Sequence, residues 1–337
     1  MEDVPLPHAT SATSLAYKRQ VARTLILDRA AIEVLRTFAT ADVPALLLKG
    51  ASFRTWLYRN EGRAQIDVDI LVPEEQWAQA VRAVESLGFV PHRHGPTGGN
   101  WYRDADRLWL DLHRTLFGVR VSPSTLWARL WRERDTMDLH RVTVPILNEP
   151  ARLFHVVMHA IQTGNSKTKA VQDLTRAAEI APFAHWQKAW ELAVSLRAAD
   201  RFASSLRLYA PSGAELADRL GAPRQIRFLE CVQAIVAAPA AVGLAEWLDG
   251  NWRQRGTVLK RWVWPGTELM ADLEHGLIPH VPAWIRLCPS RLVKFYLWRG
   301  FQVFSFLWRC PAALRLRQTS DRAAYRQRIS QPWRDDR

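Results

Sequence analysis

Cysteine is scarce in this chain. Cys231, Cys288 and Cys310 are odd in number, far apart and in no metal-binding spacing. Such a set argues against a disulfide-stapled scaffold and suits a reducing compartment. Residues Met1 to Thr13 lack the apolar core of a secretion signal, so a cytoplasmic location is expected. Long hydrophobic runs are missing too. The most aromatic stretch, Leu292 to Trp308, is too short and too charged for an ordinary membrane span. No internal repeat is present. Acidic residues are outnumbered, 33 against 46 Lys and Arg, which leaves a formal charge of +13 and a pI near 10.3. That balance favours anionic partners: nucleotide phosphates, nucleic acid or an acidic membrane surface.

What is present is a globular chain. Hydrophobic residues make up 48% of 337, ordinary for a folded protein and enough for two domains. The informative stretch is Ile66-Asp67-Val68-Asp69-Ile70-Leu71-Val72. On a β-strand, residues two apart face the same way, so Asp67 and Asp69 project together. Two like charges side by side repel, and burying them unpaired is costly. A divalent cation between them resolves both problems, and hard oxygen ligands suit Mg²⁺. The plain alternative is a strand whose polar face meets water.

The surrounding pattern fits that reading. Ser14 to Ala41 has helical periodicity, with Val21, Leu25, Ile32 and Leu35 at near-heptad spacing. Ala45 to Leu48 is a short apolar run, expected to be a buried strand. It ends in Lys49-Gly50-Ala51-Ser52, which opens a helix reaching about Tyr58. A helix start of this kind cradles anions, because its first amides point outward and the dipole favours negative charge. Pro73-Glu74-Glu75 starts a further helix with Trp77, Ala80, Val81, Val84 and Leu87 on its apolar face and Gly88 as cap. Phe89-Val90 begins a strand, and Gly95 to Asn100 reads as a glycine-rich turn. In Leu108 to His113 apolar and polar residues alternate, so Asp111 and His113 share a face. Asp111 becomes a third carboxylate. A pair of acids with a lone acid on a later strand is the set that two-metal phosphoryl chemistry needs, the third acid also taking up the proton of an attacking hydroxyl.

These residues resemble a known family. Leu46-Leu47-Leu48-Lys49-Gly50-Ala51-Ser52, Arg63, the Asp67–Val72 run and Leu110-Asp111-Leu112-His113 are similar to the bacterial uncharacterised nucleotidyltransferase family, within the DNA polymerase β-like nucleotidyltransferase superfamily. Leu126-Trp127, the Pro150–His159 helix and Asp173 also fit its layout. The likeness covers about residues 20–210. It implies an α+β fold with a small mixed sheet, an N-terminal helix and a C-terminal all-helical domain. It further implies Mg²⁺ and a nucleoside triphosphate, ATP being the expected donor. Asp67, Asp69 and Asp111 would be the catalytic and metal-binding residues. Lys49, Gly50, Ser52, Arg63 and His113 would face the nucleotide. Two departures stand out: Ala51 splits the usual Gly-Ser pair, and the gap from Gly50 to Asp67 is longer than is common. Arg54 and Arg63 either neutralise a triphosphate or sit on the surface. His113 touches a phosphate, orients Asp111, or is simply structural.

The expected organisation is a loose tail (1–13), a nucleotidyltransferase domain (14–147), a helical domain (148–250) and a basic aromatic region (251–337). Asn148 caps a helix in which His155 and His159 share a face, packing rather than binding metal. Gly164 to Lys169 reads as a flexible basic loop. Residues 291–337 hold 11 basic and 3 acidic side chains. There Val293, Leu297, Phe301, Phe304 and Trp308 line one helical side, with Lys294, Gln302, Ser305 and Arg309 on the other. That segment, 291–317, can dock on a membrane, a partner or its own protein. The function expected is Mg²⁺-dependent transfer of a nucleoside monophosphate, AMP above all, to a hydroxyl of an unidentified small-molecule, peptide or protein acceptor lying between sheet and helices. The alternatives are a catalytically silent binding protein or a basic docking protein; nucleic acid is not the expected partner.

Overall fold

The structure is a computed structural model. It describes residues 11–59, 63, 65–95, 97–163, 168–210, 212–228, 230–231, 255–256, 259–260, 263, 270 and 281–318. The expected tail up to residue 10 and positions 164–167 of the basic loop lie outside them. So do 232–254 and 319–337 of the C-terminal regions. The chain divides into two compact units. The first runs to Leu116 and resumes over Val121–Arg152; the second takes Phe117–Arg120 and the chain from Leu153.

The first unit is built on a seven-stranded mixed sheet. Its strands are β1 (Leu46–Leu47), β2 (Asp67–Leu71), β3 (Val90–Gly95), β4 (Gly98–Arg103), β5 (Leu108–His113), β6 (Asp135–Leu139) and β7 (Val142–Ile146), in the order β3-β4-β5-β2-β1-β7-β6. β2 runs parallel to β5 and antiparallel to β1, and β1 runs parallel to β7. Helix α1 (Ser11–Thr40) precedes the sheet; α2 (Ala51–Tyr58), α3 (Trp77–Ser86) and α4 (Pro123–Arg132) connect its strands.

One face of the sheet is the core. Val68, Ile70, Leu108, Leu110, Leu112 and Trp101 are buried there with Val34 and Phe38 of α1 and Ala80 and Val84 of α3. Strand alternation therefore sends Asp67, Asp69, Asp111 and His113 to the other face. On α1 the buried stripe is Leu27, Ala31, Val34 and Phe38, with Ile32 and Leu35 of the expected set packed beside it. Val21 and Leu25 are 41% and 52% exposed. Small Ala30 and Ala31 let the helix backbone approach the strands, which larger side chains on that face would prevent.

The glycine-rich turn is a correction. Only residues 96–97 separate β3 from β4, and Gly98, Gly99 and Asn100 are strand residues. Gly98 pairs with His113 so closely that an added Cβ would collide with the Leu112 carbonyl, so the glycine serves close strand approach.

Every described element after β7 is helical: α5 (Glu149–Thr163), α6 (Thr168–Ile180), α7 (Phe183–Ser195), α8 (Ala199–Tyr209), α9 (Gly213–Arg219), α10 (Ala283–Arg286) and α11 (Arg291–Gln318). The Asn148 side chain caps α5 by accepting from the Ala151 amide at 2.9 Å. Phe202 is the centre of the second unit, stacked on Phe154 and flanked by Trp186 and Trp190. Buried His155 stands perpendicular to His159, with ring centroids 6.3 Å apart. Among the described residues no helix is long and apolar enough to cross a membrane. On α11 the buried face is Phe295, Trp298 and Gln302, against Val281 and Ile285. Of the expected apolar side, Val293, Leu297, Phe304 and Trp308 are exposed instead. Gln302 is held inside by the Arg299 guanidinium, whose apolar stem and charge lie against Phe295 and Trp298.

Candidate active site

The site grows out of the register between β2 and β5. Because the two strands are parallel, Asp69 lies directly beside Asp111, and Asp67 beside Trp109. β4 adds Asn100 next to Asp111. The Asn100 amide donates to the Asp111 carboxylate, a contact that a turn at Gly95–Asn100 would not have allowed.

Asp69 is only 2% exposed, and a buried carboxylate needs positive partners. Two converge on its Oδ1. Lys49 Nζ reaches it at 2.6 Å from the end of β1, and His113 Nε2 lies 3.3 Å away. Burial by itself would raise the Asp69 pKa; Lys49 and His113 outweigh it and hold the carboxyl well below the usual range. Burial likewise pulls on Lys49, but Asp69, Asp67 and Asp111 together keep its ammonium above the ordinary value. Asp111 has the opposite fate. Burial, then the charges of Asp69 and Asp67, push its pKa up to about 6. One carboxylate is thus firmly ionised and its neighbour holds a proton readily, which is the separation acid–base chemistry uses.

Lys49 is therefore an ion-pair partner of Asp69 rather than a free charge at the helix start. His113 contacts Asp69, not Asp111. Arg54 is not a free surface arginine: it grips Asp28 of α1 with two hydrogen bonds of 3.1 and 2.6 Å. His140 lies 3.1 Å from the same Asp28, which is 1% exposed. Arg63 is 5% exposed, with its guanidinium 5.3 Å from the centre of the Phe53 ring, so the surface alternative is excluded.

The entry to α2 has the features of an anion cradle. Gly50 sits at φ 61°, ψ −116°, where a side chain is strained, and a Cβ there would run into the Gln65 amide. Gln65 in turn donates to the Asp67 carbonyl at 3.0 Å, tying the cradle to the carboxylate strand. Ser52 Oγ is buried with no hydrogen-bond partner among the described residues. An orphaned hydroxyl in the first turn of a helix is the kind of group a phosphate oxygen satisfies.

Asp69, Asp111 and His113 each offer a ligand atom, all within 4.8 Å of one another. Two carboxylates and an imidazole so close, with Asp67 near enough to act on Lys49 and Asp111, fit a divalent cation.

Two solved structures are similar. The antibiotic-resistance factor ANT(2'')-Ia aligns over 53% of this chain and 92% of its own, at 14% identity and a TM-score of 0.39. A tRNA nucleotidyltransferase complexed with a primer tRNA and an incoming ATP analogue aligns over 88% and 98%, at 13% identity and a TM-score of 0.22. No curated protein matches the chain. The sequence match is more direct: residues 3–211, which include the whole sheet, the Lys49–Ser52 turn and the three acids, mark this chain as a member of the uncharacterised nucleotidyltransferase family.

Proposed function

We propose that this nucleotidyltransferase moves a nucleoside monophosphate from an NTP to a hydroxyl group of its acceptor and releases pyrophosphate. The observation that supports this most is the side-by-side pairing of Asp69 and Asp111 on parallel strands, with Asp67 two residues away on the same face. ATP as donor rests on the superfamily resemblance, in which AMP is the group most often moved. Asp67, Asp69 and Asp111 would hold Mg²⁺. When bound, that ion polarises the α-phosphate and neutralises the departing pyrophosphate.

The chain's own residues supply the rest. The amide end of α2, Ser52 Oγ and Gly50 receive the triphosphate. Lys49 and Arg63 offset its charge, Lys49 by turning from Asp69 to a phosphate oxygen. Asp111 takes the proton of the acceptor hydroxyl. The acceptor oxygen then bonds to the α-phosphorus while the bond to the bridging oxygen breaks, and that electron pair leaves with pyrophosphate. His113 keeps Asp69 in place beside Asp111.

The test is transfer of label from α-³²P-ATP, read alongside pyrophosphate release. Asp69→Asn or Asp67→Ala is expected to lower the rate by at least about 10³-fold, the scale of losing a group aimed at transition-state charge. Circular dichroism should be unchanged. Native-like transfer by either variant refutes the assignment. The short Lys49–Asp69 contact favours one second reading, a protein that binds nucleotide without turning it over. Calorimetric binding of Mg²⁺ and ATP with no pyrophosphate released would select it. A peripheral contact with an anionic membrane is supported separately by the exposed Val293, Phe304, Leu307 and Trp308 of basic α11.

A further inference from the structure

Three ring side chains stand beside the acid cluster, on its face of the sheet. Trp109 precedes Asp111 by two residues on β5, so the two project the same way. Tyr102 pairs with Trp109 across β4 and β5, as Asn100 pairs with Asp111. His92, at the irregularity between Pro91 and Arg93 on β3, closes the group. The Trp109 ring lies 4.8 Å from Tyr102, tilted by 43°, and 4.8 Å from His92, edge to face at 80°. Trp101, on the opposite face, is fully buried. The core thus has its own aromatic. His92 is exposed and Tyr102 and Trp109 are half-buried. Tyr102 Oη lies 3.5 Å from an Asp104 carboxylate oxygen, which helps to hold the ring in place.

The arrangement has two flanks. Lys49 reaches the carboxylates from the β1 side of β2, followed in the chain by Gly50 and Ser52, and the rings lie on the β5, β4 and β3 side. One flank is polar and positive, suited to a triphosphate. The other is aromatic, its rings inclined to one another around Trp109, with Asn100 and Asp111 at its edge. A strand rises about 3.3 Å per residue, so the Trp109 ring sits roughly 7 Å along the strand from Asp111. That is about one ring width.

We propose that His92, Tyr102 and Trp109 form the acceptor-binding shelf and that the acceptor carries a pyranose ring. Such a ring presents a face of C–H groups to an aromatic plane and gains dispersion there. Its hydroxyls stand at the rim, where Asn100 and Asp111 meet them. A nucleobase stacked on the same plane has no hydroxyl to offer Asp111. The shelf's role as the acceptor site rests on the nucleotidyl-transfer reading; its affinity for a sugar ring does not.

Saturation-transfer NMR on the full chain tests it, with a panel of methyl pyranosides and, separately, adenosine as probes. The pyranoside ring protons are expected to receive saturation from the native protein. That signal should fall at least about threefold in Trp109→Ala and in His92→Ala and persist in Trp109→Phe and in Asp69→Asn. His92 is exposed, so its variant decides the matter where Trp109→Ala does not fold. Three results overturn the proposal: no transfer to any pyranoside in the native chain, signals undiminished in the variants, or dependence on Trp109 for adenosine alone. A chain that binds pyranosides through Trp109 yet turns over no ATP refutes the enzyme and leaves the shelf standing.

Discussion

Asp111 carries a signature that pH reveals. In the metal-free chain its pKa of about 6 lies above the 3.8 of an unfolded aspartate. Between those values the folded state keeps a proton that the unfolded state releases. Stability from this group is therefore complete below about pH 4 and declines as pH rises towards 6. Asp69 has the opposite sign: held below the usual range, it contributes above about pH 4 and its share is lost as pH falls. In EDTA, the native urea midpoint should fall between pH 4 and 6 relative to that of Asp111→Asn, whose neutral amide cannot titrate. Parallel curves would remove the perturbation assigned to Asp111. Lys49 gives a second residue-scale test. Lys49→Met leaves buried Asp69 short of its closest positive partner, so a divalent ion should bind more tightly, by about tenfold. Mn²⁺ titration followed by paramagnetic resonance reads this directly. Weaker Mn²⁺ binding would mean that Lys49 helps to build the ion site instead of competing for it.

At the scale of elements, α2 is the piece on which the site turns. Its N-terminus is set by Gly50 and its body by the Arg54–Asp28 pair, which ties it to α1. Breaking a buried ion pair by removing one partner costs about 3–5 kcal/mol. Arg54→Met should fall at the lower end, since His140 remains near Asp28. Urea denaturation measures it, and a loss under about 1 kcal/mol would show the pair to be dispensable. Gly50→Ala should melt earlier and bind ATP more weakly. It combines backbone strain of about 1–3 kcal/mol with displacement of Gln65. Several of these contacts were legible beforehand and several were not. Alternation is a local property, so the common face of Asp67 and Asp69, and that of Asp111 and His113, could be read from spacing; the β2–β5 register brought the two pairs together. Ser52 at a helix start could be read for the same reason. Asn100, Gln65 and the Asp28 partner of Arg54 could not, because each meets its contact through strand order or helix placement. The glycines around Asn100 look like a turn until β5 is laid against them.

For the whole molecule, ligand binding and surface charge make the measurable statements. Anything that binds only the folded state stabilises it, by about 2.7 kcal/mol at a hundred times Kd. Mg²⁺ with ATP should raise the melting temperature by several degrees, and excess EDTA should cancel most of the rise. The exposed apolar residues of α11, set among basic ones, should bring the chain down with phosphatidylserine vesicles. Each basic residue near such a surface is worth about 1 kcal/mol and is screened by salt. Retention should therefore drop in high salt and in the α11 variants Phe304→Ser and Trp308→Ser. Equal sedimentation with neutral vesicles would deny the charge any part in it.

The sequence by itself determined the strand alternation that aims Asp67 with Asp69 and Asp111 with His113, the glycine that opens α2, the family and the excess of positive charge. Those depend on neighbours within a few residues, where geometry is set by the backbone alone. Tertiary structure decided which atoms meet: Lys49 and His113 on Asp69, Asn100 on Asp111, Arg54 on Asp28, and which stripe of α1 and of α11 is covered. Such choices follow from register between distant strands and from how closely two backbones can approach, and no stretch of sequence contains both sides of a contact.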